Sequence, residues 1–181
     1  DCPVEILAVQ NAALQEVNSF ARLLEAVEPD RSSMTLYCHA KGSTHCDPRS
    51  ASHRWCDAMA EACLDYPELI DCCLREAAVC GAFRSRMPIG WPGPSPPYHF
   101  AGTWYWFRND ALFARDWRTI SQTFWGVESY PGEKFAEEES RCLFFDGAET
   151  AHLYDPEFWA KSIDPGMANW RRALAAAGAR A

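Results

Sequence analysis

Between Tyr37 and Asp47 the chain reads YCHAKGSTHCD, with Cys38 and His39 on one side of a Lys-Gly turn and His45 and Cys46 on the other. Thiolates and imidazoles are zinc ligands, so the first chemistry suggested is a metal clasp. The spacing argues against it. Met34 to Cys38 reads as a strand, and successive strand side chains point to opposite faces, so Cys38 and His39 do not easily converge on one ion. Zinc loops also take their ligands in close pairs, which this stretch lacks. Cys38 is then expected in the core. His39, Lys41 and Gly42 remain at the strand tip, where a mobile cation and an approachable backbone would suit phosphate oxygens, or simply make a solvated turn.

Further along, HFAGTWYWF (99–107) concentrates aromatic side chains around His99 and Gly102, FWGVESY (124–130) carries Glu128, and AHLYDPEFW (151–159) carries His152. A carboxylate can take a proton from a hydroxyl, and indole faces can line an apolar or sugar-like surface. Each has a plainer alternative: Glu128 as the acidic residue opening a helix, Trp104 and Trp106 as core, His99 and His152 as hydrogen-bonded interior imidazoles. The familiar signatures are missing, since no G-x-x-x-x-G-K, G-x-G-x-x-G, G-x-S-x-G or H-E-x-x-H occurs. The NTPase, dinucleotide, hydrolase-elbow and zincin readings therefore lack their motifs. Glu137 to Glu139 reads as a charged solvent face.

The rest of the chain must position these groups. Its 181 residues suit one domain, and a hydrophobic fraction of 48% is enough for a packed core. A net charge of −8 argues against a broad nucleic-acid or anionic-membrane surface. The nine cysteines include no Cys-x-x-Cys pair. Cys56/Cys63 and Cys73/Cys80 sit seven apart, the repeat of one buried helical face, so a reducing, cytoplasmic compartment is expected. No apolar run is long enough to span a bilayer.

Val4 to Val9 reads as a strand, Asn11 as the cap of a helix to about Val27, and Met34 to Cys38 as the next strand. That order predicts a parallel α/β sheet with the Lys41 loop at its carboxyl edge, where such sheets bind ligands. Helices are expected over Ser52–Tyr66 and from Pro67 to about Ala77, and a strand over Ala78–Phe83. MPIGWPGPSPP (87–97), with five prolines and two glycines, is either a rim or a rigid connector. His99–Phe107 reads as one strand with Thr103, Tyr105 and Phe107 on one face and Trp104 and Trp106 on the other. Asn109 or Asp110 then caps a helix to about Trp117. A helix broken at Pro131-Gly132, a strand over Arg141–Phe145 and helices at Pro156–Ile163 and Asn169–Ala177 follow.

In order along the chain, CHAKGST after a strand, HFAGTWYWFRNDAL, FWGVESYPG and AHLYDPEFW resemble a group of glycosyltransferase-like proteins related to nucleotide-sugar transferases of the GT-A type. Members show His-Ser/Thr-Lys-Gly, His-Phe-Ser/Ala-Gly followed by aromatics, and Gly-Ala/Val-Glu. The resemblance runs from about Val4 to Trp159 and covers the later part of such a domain. It implies an α/β, Rossmann-like, mostly parallel sheet flanked by helices and lacking its first strands, in one domain (1–181) whose residues 169–181 are a terminal helix and frayed tail.

The resemblance further implies transfer of a sugar from a nucleotide-sugar donor to an acceptor hydroxyl. His39, Lys41, Gly42 and His152 would meet the diphosphate, while His99, Gly102, Trp104 and Trp106 would lie at the donor sugar, and Glu128 would be the base. Relatives that use a divalent Mn or Mg ion hold it on an Asp-x-Asp pair. Here His39-Ala40-Lys41 stands in that place, so no metal ligand is assigned and a side-chain cation would replace the ion's charge. A catalytically silent carbohydrate- or partner-binding module with the same fold is the alternative.

Overall fold

The computed structural model describes residues 6, 8, 14, 16–27, 33–39, 50–86 and 95–178. Five strands form one mixed sheet: β1 (Met34–Tyr37), β2 (Val79–Ser85), β3 (His99–Phe100), β4 (Tyr105–Arg108) and β5 (Ser140–Asp146). The expected mostly parallel sheet is not what forms. β1–β4, β2–β4 and β2–β3 pair antiparallel, and only β2–β5 is parallel. The pairings nonetheless leave β1, β2 and β5 running in one direction. β4 is inserted between β1 and β2 against the grain, which no local pattern announces. Within the run Val4–Val9, Ile6 and Ala8 are exposed and belong to no strand, and the remaining residues lie outside those described.

β3 and β4 are two halves of one strand lying along β2. Phe100 pairs Arg84 and Tyr105 pairs Gly81, so the four residues Ala101–Trp104 oppose only Ala82 and Phe83. Two residues too many must leave the ladder, and they do so at Gly102-Thr103. The single strand expected over 99–107 is therefore broken by a wide bulge. Its alternation survives: Tyr105 and Phe107 face one core, while Trp104 and Trp106 pack against the other.

Helices cover both faces. On one, α2 (Ala51–Leu64), α3 (Pro67–Glu76) and α7 (Asp164–Ala176) bury Trp55, Met59, Ala62, Ile70, Leu74 and Met167. Ser50 caps α2 and Pro67 opens α3, as their residue types dictate. On the other face α1 (Val17–Glu25) and α5 (Gly126–Lys134) bury Val17, Phe20, Leu24, Val127 and Tyr130. The short α4 (Asn109–Phe113) ends before the expected Trp117. α6 (Pro156–Phe158) runs through a π-helical turn, Trp159–Ile163, straight into α7, so the last helix begins at Asp164 rather than Asn169. The expected frayed tail beyond Gly178 lies outside the described residues.

The cysteine spacing misled in part. Cys56 and Cys63 share α2, but Cys80 lies on β2 and Cys38 is exposed at the end of β1. All seven described cysteines are free thiols, and burial pushes Cys142 up to about 11. Glu137 and Glu139, expected as a solvent face, ion-pair with Arg86 and Arg115. Arg84 and Arg86 both reach Asp146, and the Arg84 hydrogen bonds hold that carboxyl down to about 2. Among the described residues no helix is long and apolar enough to cross a membrane.

α5 was expected to break at Pro131-Gly132 and does not: the Val127 carbonyl that Pro131 has no N–H to bond accepts from the Tyr105 hydroxyl at 3.1 Å, and Gly132 lets the helix lie against the backbone at Tyr98. A Cβ there would stand 1.9 Å from the Tyr98 carbonyl oxygen. In an open helix Gly→Ala would stabilise by about 1 kcal/mol. Gly132→Ala is instead expected to destabilise by at least about 2 kcal/mol in urea unfolding, because backbone would have to move.

Candidate functional site

The bulge fixes the geometry of the HFAGT segment at the carboxyl edge of β2. Ala101 N donates to Phe83 O at 2.8 Å and Thr103 N to Phe100 O at 3.0 Å, while Gly102 and Thr103 take φ of 91° and 64°. Gly102 is required twice over. Its φ is left-handed, and a Cβ would meet Met59 Sδ at 2.5 Å, where α2 closes over the turn. Thr103 has no such excuse: a β-branched residue at positive φ stores on the order of 1–3 kcal/mol of strain. Its hydroxyl oxygen is also buried with no hydrogen-bond partner among the described residues.

α5 brings a carboxylate to this turn. The Tyr105 hydroxyl donates to Val127 O at 3.1 Å and the Tyr98 hydroxyl to Pro131 O at 3.3 Å, so two tyrosines hold the helix at its first turn and its middle. Glu128 in its first turn is 5% exposed, and Oε1 accepts from Gly102 N at 3.4 Å. His99 Nε2 lies 3.3 Å from Thr150 Oγ1 and 3.7 Å from Glu128 Oε1. Burial pushes His99 down to about 4, and the carboxylate, beyond hydrogen-bond range, does not restore it. At neutral pH the pair is a neutral imidazole beside a helix-terminal carboxyl group.

Of the residues singled out in the sequence, His99, Gly102 and Glu128 therefore meet. His39 joins the same edge from β1: its carbonyl accepts from Trp104 Nε1 at 3.0 Å, two residues after Gly102. Trp106 lies apart, donating to Cys63 O at 2.8 Å and lining an apolar cleft with Met34, Leu64 and Ile70. His152 follows Thr150 by two residues but is half exposed, beside Glu149 and against the Phe158 ring. Lys41 and Gly42 lie outside the described residues. Sequence reasoning missed Thr103 and Thr150 as members of the cluster. Only the proximity of Thr103 to a glycine hinted at its turn.

Among the described residues no group of three or more His, Cys, Asp or Glu side chains is placed to hold a metal ion. Neither protein-family models, nor curated proteins, nor solved structures match the chain.

Two measurements test this geometry. Unfolded His99 takes up a proton below 6.5 whereas the folded residue waits until about 4, so the unfolded state binds more protons across that window and stability falls as pH drops through it. The loss should reach roughly 3 kcal/mol. His99→Gln is expected to remove that slope between pH 7 and 4.5 in urea unfolding. Thr103→Gly, which relieves both the strained φ and the orphaned hydroxyl, should raise stability by about 1 kcal/mol. A lower melting temperature would show that the threonine is held there by packing.

Proposed function

We propose that this chain is a glycosyltransferase-like protein, moving a sugar from a nucleotide-sugar donor to an acceptor hydroxyl, with Glu128 as the base. The observation that carries the reading is the placement of Glu128: a carboxyl group at a helix N-terminus, brought against a strained turn that lies along β2 just past the end of β1. In the reaction the acceptor hydroxyl gives its proton to Glu128 as its oxygen bonds to the anomeric carbon. The bond from that carbon to the diphosphate breaks, and its electrons leave with the diphosphate. His39, Lys41, Gly42 and His152 would meet the diphosphate and offset that developing charge, with the turn at Gly102 beside the donor sugar. His99 and Trp104 would shape the sugar pocket, whereas Trp106, in its separate cleft with Met34, Leu64 and Ile70, would not.

A second reading, a carbohydrate- or partner-binding module without transfer activity, is favoured by one observation. Glu128 already accepts a backbone N–H and is nearly inaccessible, as a structural carboxylate would be. Hydrolysis and transfer assays over UDP- and GDP-sugars, with and without EDTA, separate the two. Under the transfer reading activity survives chelation, and Glu128→Gln lowers kcat by about 100-fold or more with the melting temperature unchanged. Sugar binding without turnover, together with a large stability loss in Glu128→Gln, would assign the residue to the binding module instead.

A further inference from the structure

β1 is an outer strand of the sheet. It pairs with β4 alone, and among the described residues no strand lies on its other side. The register decides which backbone groups face outward. Asn109 N donates to Ser33 O at 3.1 Å, one step beyond the pairing of Met34 with Arg108, so Ser33 and Asn109 are a hydrogen-bonded pair. Such pairs alternate along an antiparallel ladder. Thr35 and Tyr37 therefore turn their N–H and C=O groups to β4, and Met34 and Leu36 turn theirs off the sheet, where they meet no backbone partner among the described residues. An open row of donors and acceptors is a template for one more strand.

The surface beside this edge is apolar. Leu36 and Trp106 pack on the α2–α3 side of the sheet, and Met34, two residues before Leu36, points the same way. There a cleft of about 550 Å³ is lined by Met34, Leu64, Pro67, Ile70 and Trp106. Leu64 is 51% exposed and Met34 37%, although both are large apolar side chains. Trp106 donates its indole N–H to Cys63 O at 2.8 Å, which fixes the ring as a wall of the cleft. The charged part of the lining is acidic, Glu68 and Asp71 of α3. Glu68 has no ion pair among the described residues, and the partner of Asp71 is the solvent-exposed Arg75 at 3.4 Å. Arg108, the other cation against α3, is held by Asp110 and the Leu74 carbonyl. An apolar groove with a negative rim thus runs beside an unpaired strand edge.

We propose that β1 and this cleft form a docking surface for an extended peptide of a partner protein. The peptide adds a strand beside β1, seats a large apolar side chain in the cleft and carries Lys or Arg two residues away, on the same face, against Glu68 and Asp71. Main-chain hydrogen bonds to Met34 and Leu36 supply affinity, and alternate side chains supply selectivity. A second copy of this chain fits less well, because pairing β1 with β1 about a two-fold axis would bring two acidic rims of a chain of net charge −8 together. The surface stands independently of the transfer reading.

Amide hydrogen exchange of the full chain, read by NMR, gives the first test. The Leu36 N–H is expected to exchange at least about tenfold faster than those of Thr35 and Tyr37. A Leu36 amide already protected in the free chain overturns the proposal, since the edge would then be occupied. The second test selects a displayed library of random peptides, about twelve residues long, on the full chain. Enriched sequences should share a large apolar residue with Lys or Arg two positions away, and the synthesised consensus peptide should slow exchange at Leu36. Leu64→Lys, with an unchanged melting temperature, should weaken that peptide about tenfold, and Glu68→Lys about threefold at low salt. Failure to enrich any peptide that protects Leu36, a consensus without basic residues, or undiminished binding by Leu64→Lys overturns the proposal. So does a concentration-dependent dimer in sedimentation that Leu64→Lys dissolves, which would assign the face to a second copy.

Discussion

The carboxyl edge of the sheet is organised by a mismatch of length: Ala101–Trp104 must pass two residues of β2 using four. Antiparallel pairing tolerates such an excess only by pushing backbone out of the ladder. Here the expelled residues are Gly102 and Thr103, both at positive φ. The detour turns Gly102 N away from β2 and toward Glu128, and it lets Trp104 reach back to the β1 carbonyl at His39. Without the two extra residues, β3 and β4 would form one flat strand and neither contact would exist.

The helix on one side of the detour and the helix on the other leave it little room. α2 fills the space a Gly102 side chain would need, with Met59 and Trp55 against the turn. α5 is drawn in until Gly132 lies on the Tyr98 carbonyl, and the hydroxyls of Tyr98 and Tyr105 bind its backbone. Close approach at Gly132 and the hydrogen bond at Val127 together set where Glu128 stands. A carboxyl group could not be buried to this degree without a helix terminus and a backbone donor arranged around it.

Much of this was legible in the residues. Apolar spacing placed α2 and α3 almost to the residue, and period-two alternation assigned Trp104 and Trp106 to one core and Tyr105 and Phe107 to the other. Alternation also separated Cys38 from His39 correctly, although Cys38 proved exposed rather than buried because β1 ends one residue before it. What sequence could not supply was pairing. Nothing in Tyr105–Arg108 says that it will enter between β1 and β2, and a strand–helix–strand order suggests a parallel neighbour instead. Residue excess in a strand is invisible until its partner is known, so the break at Gly102 was hidden inside an unbroken aromatic run.

Several unfavourable terms fall close together. A positive-φ threonine with an orphaned hydroxyl, a histidine kept neutral by burial and a carboxyl group beside it lie along one edge of a sheet that is otherwise well packed. Packing alone does not call for any of them. Glycine would serve at 103, and apolar side chains of similar volume at 99 and 128 would avoid the desolvation of an imidazole and a carboxyl group. Away from the turn the chain does choose the cheaper solution: Ile70, Leu74, Leu24 and Met167 bury apolar side chains with no side-chain polar atom to satisfy. Strain and buried polarity thus gather along β2 just past the end of β1, where strain is characteristically kept for function rather than for the fold.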